Sequence, residues 1–440
     1  MKKFLLLALS QLFALCVLAD GFPRYYELVT SADQLESGKY YVIVAIPEAG
    51  SFSFRKAYNG FNTSDHKGNS GIVTPNELHG QAGITPSQFS GIIDIGKDGN
   101  AAKPLKMTIN AAKTEKLQYT VWNFVDESVG TDNQLVGVNA ETTGESQHYL
   151  IGSEASSTNE ADHFHLWTIS LGIDDLELRA FIRNVGKTYY LKYDANSYGD
   201  EAGLFRVYAS TTAEKRNLML YKEMETVEAT TSFTGHGTLY YSDKVLMVPD
   251  GVTARTYTLN DDKKAVTSHS EYLTEHFIPA NSAVVLYGAT TTYPLTTTYT
   301  FPVTNRHNPD RDDKNILLGL DNGGETTTGK GATEDAKYYF YKLTTKNNVA
   351  ETVGFYWAVN EGKAFTSAAH KAYLAVEKDV AANIRSFLLD FSETTSISNV
   401  SLPTPEETKW VYDLSGRRFS TSQSLPKGIY ISNGKKFVVK

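Results

Sequence analysis

The chain of 440 residues is long enough for two to four domains that each bury a core. Its apolar fraction of 41% and charged fraction of 21% exclude collagen-like, wholly disordered and multi-span membrane proteins. A formal charge of -8 argues against general binding to nucleic acid. Aromatic residues reach 12%, and with abundant Thr and Val they favour strands over helices. We therefore predict an all-β fold of several β-sandwich or barrel modules with a small C-terminal β module.

Residues 1–19 have the pattern of a secretory signal peptide, in which a basic start precedes an apolar run over residues 4–18. The run is shorter than the roughly 20 residues that a transmembrane helix needs, so we expect cleavage after Ala19. Cys16 is preceded by Leu15 and not by the small residue of a lipobox, so we do not expect a lipid anchor at this cysteine. The mature chain would then lack cysteine, which excludes disulfides and thiolate metal sites. We expect a secreted protein or one on the outer-membrane surface.

Residues 20–225 are predicted to form a β-rich module. Ser31 and Gln34 have capping-box spacing and Gly38 can adopt a left-handed conformation, so a single helical turn is expected between the first two strands. Residues 47–90 suggest long loops with short strands. Short strands then recur every 10 to 16 residues, as in a sandwich or barrel. The predicted strands are 106–109, 119–125, 135–138, 148–151, 163–169, 176–182, 189–193, 204–208 and 218–222.

The polar stretch 224–232 is typical of a linker, and residues 232–395 are predicted to form a second β-sandwich module. A tight turn is expected at 248–251, where Pro and Gly are suitably placed. Alternation would place Phe355, Trp357 and Val359 on one buried face.

Residues 400–440 are predicted to form a third, small module that differs in charge from the rest. From residue 410 onward, the sequence contains six Lys or Arg residues and one acidic residue, Asp413. Asn433 and Gly434 lie between two alternating runs, which is the strongest short-range signal of a β-hairpin. We expect that hairpin within 425–440, and a second turn near residues 415–416.

This tail resembles the C-terminal sorting domains of type IX secretion cargo from Gram-negative anaerobes. The resemblance lies in Val411 to Arg418, Leu425 to Tyr430 and Asn433 to Lys440, which is about 30 of the 440 residues. It implies export by the outer-membrane secretion machinery. The Asn-Pro element that begins a full-length sorting domain is missing. The residues to which the resemblance assigns the sorting signal are Gly416, Arg417, Arg418, Gly428, Tyr430, Asn433, Gly434 and Lys440.

Residues 238–391 more loosely resemble an accessory β domain that often precedes such a tail. The resemblance lies in 238–246, 248–252, 278–286, 354–356 and 371–374. It implies a module attached to varied partners and no particular activity.

No catalytic motif is found in the sequence, and we predict no cofactor and no metal site. Exposed aromatic residues could instead form a platform that stacks on sugars, although the same residues could fill sandwich cores. The candidates are Trp122, Trp167, Tyr189, Tyr190 and Tyr193. The expected function is a non-catalytic binding or adhesion protein that binds a glycan or extracellular-matrix ligand through its first module, residues 20–225. The alternative is a secreted hydrolase, a glycosidase or peptidase, with its site in residues 20–225. The sequence leaves the oligomeric state open.

Overall fold

Strands predominate among the residues that the computed structural model describes, and they pair in antiparallel sheets, which confirms the all-β prediction. The chain divides into two compact units, residues 1–389 and 390–440. The predicted signal peptide lies outside the described residues. Among the residues described, no helix has the length and hydropathy to cross a membrane. The structure describes residues 22–45, 55–61, 68–73, 91–127, 133–139, 148–154, 165–174, 177–185, 190–194, 204–208, 218–260, 265–304, 309–381, 384–389, 410–413, 418–420, 428–432 and 435–439.

The first 14 strands form one sheet with its strands in the order β12-β11-β10-β7-β8-β9-β13-β4-β3-β2-β14-β1-β5, and β6 bridges β2 and β7. The strands are β1 (Tyr25–Leu28), β2 (Lys39–Ala45), β3 (Arg55–Phe61), β4 (Gly68–Val73), β5 (Ile92–Asp94), β6 (Leu105–Ile109), β7 (Trp122–Val125), β8 (Asn133–Asn139), β9 (His148–Glu154), β10 (Trp167–Asp174), β11 (Glu177–Asn184), β12 (Tyr190–Asp194), β13 (Leu204–Tyr208) and β14 (Leu218–Glu223). Because β12 also pairs with β13, part of this sheet closes on itself, and we call the sheet the barrel.

The barrel encloses an aromatic core. Trp167 is fully buried beside Phe124, with ring centroids 6.3 Å apart in an edge-to-face arrangement. Tyr193 packs against Phe205 at 5.4 Å. Each such ring removes about 150–250 Å² from water. This core stabilises a chain whose predicted mature form has no disulfides.

Capping residues stabilise the short helical segments of the barrel. The 3₁₀ helix Ala32–Gln34 is the predicted corner, in which the Gln34 amide oxygen accepts the Ser31 N–H at 3.2 Å. Gly38 has a positive φ of 86°, as the sequence predicted. Helix α1 (Ala111–Leu117) was not predicted, and the Asn110 side chain caps it by accepting the Lys113 N–H at 3.1 Å.

Residues 226–304 form a sandwich of two four-stranded sheets, β15-β22-β17-β20 and β16-β21-β18-β19. The strands are β15 (Thr226–Thr231), β16 (His236–Leu239), β17 (Val245–Met247), β18 (Thr253–Leu259), β19 (Val266–Tyr272), β20 (Phe277–Ile278), β21 (Val284–Tyr287) and β22 (Thr297–Thr304). The predicted linker is therefore wrong, because most of it is β15, which buries Val227 and Ala229 and pairs along its whole length with β22.

A five-stranded sheet, β23-β28-β25-β26-β29, follows the sandwich, together with the two-stranded pair β24–β27. The strands are β23 (Leu317–Leu320), β24 (Gly324–Glu325), β25 (Tyr338–Thr344), β26 (Gly354–Trp357), β27 (Thr366–Ser367), β28 (Lys371–Glu377) and β29 (Ser386–Leu388). Short helices join them, namely α2 (Ala332–Asp335), α3 (Lys378–Ala381) and the 3₁₀ turns Ala350–Thr352 and Asn360–Gly362. Phe340, Phe365 and Tyr373 form the core under this sheet.

The barrel and the sandwich share a hydrophobic cluster. Tyr25, Ile92 and Met224 from the first region contact Val245, Met247 and the fully buried Phe277 of the sandwich. The Lys97 ammonium donates to the Glu275 carboxylate at 2.7 Å beside this cluster. The predicted boundary between residues 225 and 232 therefore falls inside one compact unit, in which the two regions share buried side chains.

In the C-terminal unit, four strands pair in the order β31-β30-β32-β33, with β30 (Trp410–Asp413), β31 (Arg418–Ser420), β32 (Gly428–Ser432) and β33 (Lys435–Val439). Ser432 pairs with Lys435, which leaves two residues for the connection and confirms the predicted hairpin. The pairing of Tyr412 with Arg418 agrees with the turn predicted near residues 415–416.

Candidate ligand-binding site

A cavity of about 470 Å³ lies between the sandwich and the five-stranded sheet. Its walls come from residues 230–238, 293–296, 342–353 and 365–372. Its volume falls within the range of about 300–1,000 Å³ that is typical of small-molecule sites. Four segments that are distant in sequence therefore build one concave surface.

The turn between β15 and β16 forms one wall. The Ser232 N–H donates to the His236 carbonyl at 2.8 Å, and this bond closes the turn. A Cβ atom on Gly237 would lie 2.4 Å from the Thr230 carbonyl oxygen, so only glycine allows the two strands to approach this closely. The close approach brings the polar residues of both strands to the cavity.

Eight of the 21 residues that line the cavity are Ser or Thr. Thr231 is fully buried, and its hydroxyl has no hydrogen-bond partner among the described residues. A buried hydroxyl without a partner is destabilising by about 1–3 kcal/mol, so this wall of the cavity carries a local energetic cost. The Ser and Thr residues that line the cavity are Thr230, Thr231, Ser232, Thr238, Thr296, Thr344, Thr345 and Ser367.

The charged residues that line the cavity are both cationic. Lys342 on β25 is exposed, whereas Lys371 at the start of β28 is half-buried. Burial lowers the pKa of the Lys371 ammonium. Within the described part of the chain, Lys371 has no ion pair, and no Asp or Glu lines the cavity. The cavity is therefore a positive region on a protein whose net charge is -8.

His236 adds a neutral polar group. Its Nδ1 lies 2.7 Å from the Thr234 carbonyl oxygen, which can only accept, so Nδ1 carries the hydrogen. Burial is the main cause that lowers the pKa of His236; the Arg255 charge acts in the same direction and the Thr234 carbonyl opposes it. The ring is therefore neutral at pH 7 and contributes no charge to the site.

An aromatic rim borders the cavity. Tyr293 is 56% exposed and is followed by Pro294 and the 60% exposed Leu295. Phe233 packs edge-on against the Tyr293 ring, with centroids 5.2 Å apart and planes at 90°. Because Tyr293 is more than half exposed while Phe233 packs against it, the exposed part of the residue is available for contact with a ligand.

The predicted aromatic platform is wrong for three of its five residues. Trp122, Trp167 and Tyr193 belong to the core of the barrel and are 3%, 0% and 6% exposed, so they cannot stack on a sugar. Tyr190 on β12 is half-buried, and Tyr189 lies outside the described residues. No sequence pattern marked Tyr293, which follows a run of Thr residues in a loop.

The predicted sorting residues fall in two groups. Arg418 lies on β31, and Gly428 and Tyr430 lie on β32. The other five, Gly416, Arg417, Asn433, Gly434 and Lys440, lie outside the described residues. The sorting role of the tail stays a prediction.

A second polar cluster contains Ser270, His269 and Asp312, the residue types of a hydrolase triad. The Ser270 hydroxyl donates to Asp312 Oδ2 at 3.1 Å, and His269 Nδ1 lies 2.8 Å from the same oxygen. In a triad, the serine and the aspartate contact opposite nitrogens of the imidazole, whereas here both lie on the Nδ1 side. Asp312 also accepts from Thr256, so the carboxylate anchors its loop. Among the described residues, no group of three His, Cys, Asp or Glu side chains could hold a metal ion.

No protein-family profile and no curated protein matches the chain. One matching solved structure is titled "Structure and mode of action of a mosquitocidal holotoxin", with 11% sequence identity and a TM-score of 0.27. The alignment covers 78% of this chain and 34% of that one, so the chain spans about a third of the toxin's length.

Proposed function

We propose that this protein is a secreted or cell-surface carbohydrate-binding protein without catalytic activity, and that the cavity between the sandwich and the five-stranded sheet binds the glycan. The observation that carries the proposal is the combination of a hydroxyl-rich lining with the exposed Tyr293 ring at the rim. Sugars present hydroxyl groups around an apolar face of C–H bonds. The lining would hydrogen-bond the hydroxyls while the tyrosine packs against the apolar face.

The non-catalytic part of the proposal rests on the chemistry of the lining. Most glycoside hydrolases use two carboxylates about 5–10 Å apart, and no carboxylate lines this cavity among the described residues. A neutral His236 beside two lysines offers no such pair. The alternative is a hydrolase with its site in residues 20–225, and its catalytic residues would then lie in the barrel.

We also propose that the tail directs export. Residues 390–440 form a compact unit of their own, which contains a four-stranded antiparallel sheet. A separate unit could be recognised by secretion machinery while the remainder of the chain folds. The signal peptide would supply the first step of export.

Screening the mature chain, residues 20–440, on a glycan array followed by titration calorimetry would test the binding proposal. Tyr293→Ala should weaken binding of the best ligand by about 2- to 10-fold, because one aromatic contact contributes roughly 0.5–1.5 kcal/mol. Tyr119→Ala is the matched control, since Tyr119 is 48% exposed but lies in the barrel. Equal affinity of the two variants would place the ligand elsewhere. Release of shorter sugars from any bound glycan would favour the hydrolase.

A further inference from the structure

We infer that the glycan bound in this cavity is anionic, and that its acidic group, a carboxylate or a sulfate ester, pairs with Lys371. This inference rests on the proposed function, because it names the class of ligand for the same site. It is carried by the position of one half-buried ammonium in a cavity without acidic residues.

The position of Lys371 is fixed by the backbone around it. Lys371 pairs with Leu320 in the adjacent strand β23. The preceding residue, His370, donates its N–H to the Leu320 carbonyl at 2.8 Å and stacks its ring on Tyr241 at 3.9 Å. The Tyr240 N–H donates to the His370 carbonyl at 3.2 Å. The stem of the lysine therefore starts from a rigid point in the cavity wall.

The acidic residue next to this wall is already engaged. Asp321 accepts the Ser242 N–H at 2.9 Å and lies 3.8 Å from His370 Nδ1. Within the described part of the chain, Lys371 has no counter-ion, and its burial disfavours the charged form, which lowers its pKa. A partly desolvated ammonium gains more from an anionic partner than an exposed one does, because water screens it less.

The surrounding charges favour the same kind of ligand. Lys342 supplies a second positive charge at the edge of the cavity, while His236 is neutral. No carboxylate of the described lining would repel an acidic sugar. The chain as a whole has a net charge of -8, whereas the charged side chains of the cavity are positive. Such a difference is expected at a site that selects anionic ligands. A neutral sugar would leave the ammonium without a partner.

Calorimetry of the full mature chain with three probes of matched length tests the inference. These are an oligogalacturonide, the neutral galactose oligomer and a sulfated galactose oligomer. We expect an acidic probe to bind at least tenfold more tightly than the neutral one, and the two acidic probes distinguish a carboxylate from a sulfate. Lys371→Met should weaken the acidic probe by about 10- to 100-fold, as for loss of a charged hydrogen bond, and leave the neutral probe unchanged. Lys314→Met, at an exposed lysine outside the cavity, should change neither.

A second measurement does not depend on the variant folding. Acylation of lysines with and without the acidic probe, read by mass spectrometry, should show that Lys371 is protected while Lys314 is not. Equal binding of neutral and acidic probes, or no protection of Lys371 by an acidic probe that binds, would overturn the inference but leave the proposed function standing. Binding of no glycan at all by the wild-type chain would overturn both.

Discussion

Phe277 should couple the stability of the sandwich to that of the barrel. Its side chain is fully buried in the cluster that contains Tyr25, Ile92 and Met224 from the other region. Phe277→Ala removes the ring from this shared core. If the two regions unfold as one unit, a mutation in the sandwich will shift the unfolding of the barrel.

The size of the effect follows from the burial. Truncation of a buried Phe to Ala lowers the free energy of unfolding by about 3–5 kcal/mol. That is a large part of the roughly 5–15 kcal/mol of a typical domain. With a urea dependence of about 3 kcal/mol per molar, the unfolding midpoint should fall by roughly 1 M or more.

Tryptophan fluorescence can report on the barrel alone. The chain has four Trp residues, and changing Trp357 and Trp410 to Phe leaves only Trp122 and Trp167, which are buried in the barrel. In this background we expect Phe277→Ala to shift the fluorescence midpoint and the circular dichroism midpoint together. Leu273→Ala, at a 46% exposed position of the sandwich, is the control and should shift neither. If Phe277→Ala shifts the circular dichroism midpoint but leaves the fluorescence midpoint unchanged, the two regions unfold independently.

Three further changes test other parts of the structure. Gly319→Ala would place a Cβ atom 2.1 Å from Tyr240 Cγ and 2.4 Å from Tyr240 Cβ, so the melting temperature should fall with a loss of about 1–3 kcal/mol. Adding Tyr240→Gly, which removes both atoms, should recover part of that loss, and additive losses would contradict this contact. Because the pKa of His236 is lowered in the fold, the unfolded chain binds the proton first, and stability should decrease as the pH falls below about 6.5. His236→Gln should flatten that decrease in urea titrations, and an unchanged pH profile would refute the assignment. Deleting residues 410–440 should leave a folded protein in the periplasm, whereas arrival of the truncated chain at the surface would exclude a sorting role.

Local patterns predicted most of the strands correctly. Strand β13 has the predicted bounds, and the hairpin of β32 and β33 follows from two turn residues between alternating runs. The alternating pattern of apolar residues gave a wrong prediction of burial where the strand ended before the pattern did. Phe355 is buried as predicted, but β26 ends at Trp357, and Val359 is 42% exposed.

Composition misled the prediction where polar residues lie in regular structure. Thr and Glu dominate residues 226–231, yet the segment is a strand that exposes Glu228 and Thr230 and buries its other residues, including Thr226 and Thr231. The alternation of Val227 and Ala229 with Glu228 and Thr230 was the signal that could have revealed it. Helix α1 was missed for a similar reason, because its seven residues bury no side chain.

The candidate site could not be predicted because its parts are distant in sequence. Its cationic wall begins at residue 342 and its aromatic rim lies near residue 293, and only the packing of the five-stranded sheet on the sandwich brings them together. An aromatic residue also looks the same in sequence whether it faces a core or the solvent. Trp167 and Tyr293 differ only in what the fold places around them.

The seam between the sandwich and the five-stranded sheet determines how the cavity can bind. Hydrogen bonds cross it from the Tyr240 N–H to the His370 carbonyl at 3.2 Å and from the Asn315 amide to the Ala283 carbonyl at 2.8 Å. The first bond joins two backbone groups, and the second joins the Asn315 side-chain amide to a backbone carbonyl, so both help to fix the two walls before a ligand arrives. A preformed site loses little conformational entropy on binding, and more of the contact energy then contributes to affinity. Selectivity for an acidic sugar can therefore rest on the single ammonium of Lys371, because the wall that carries it cannot easily move away from a ligand that lacks the charge.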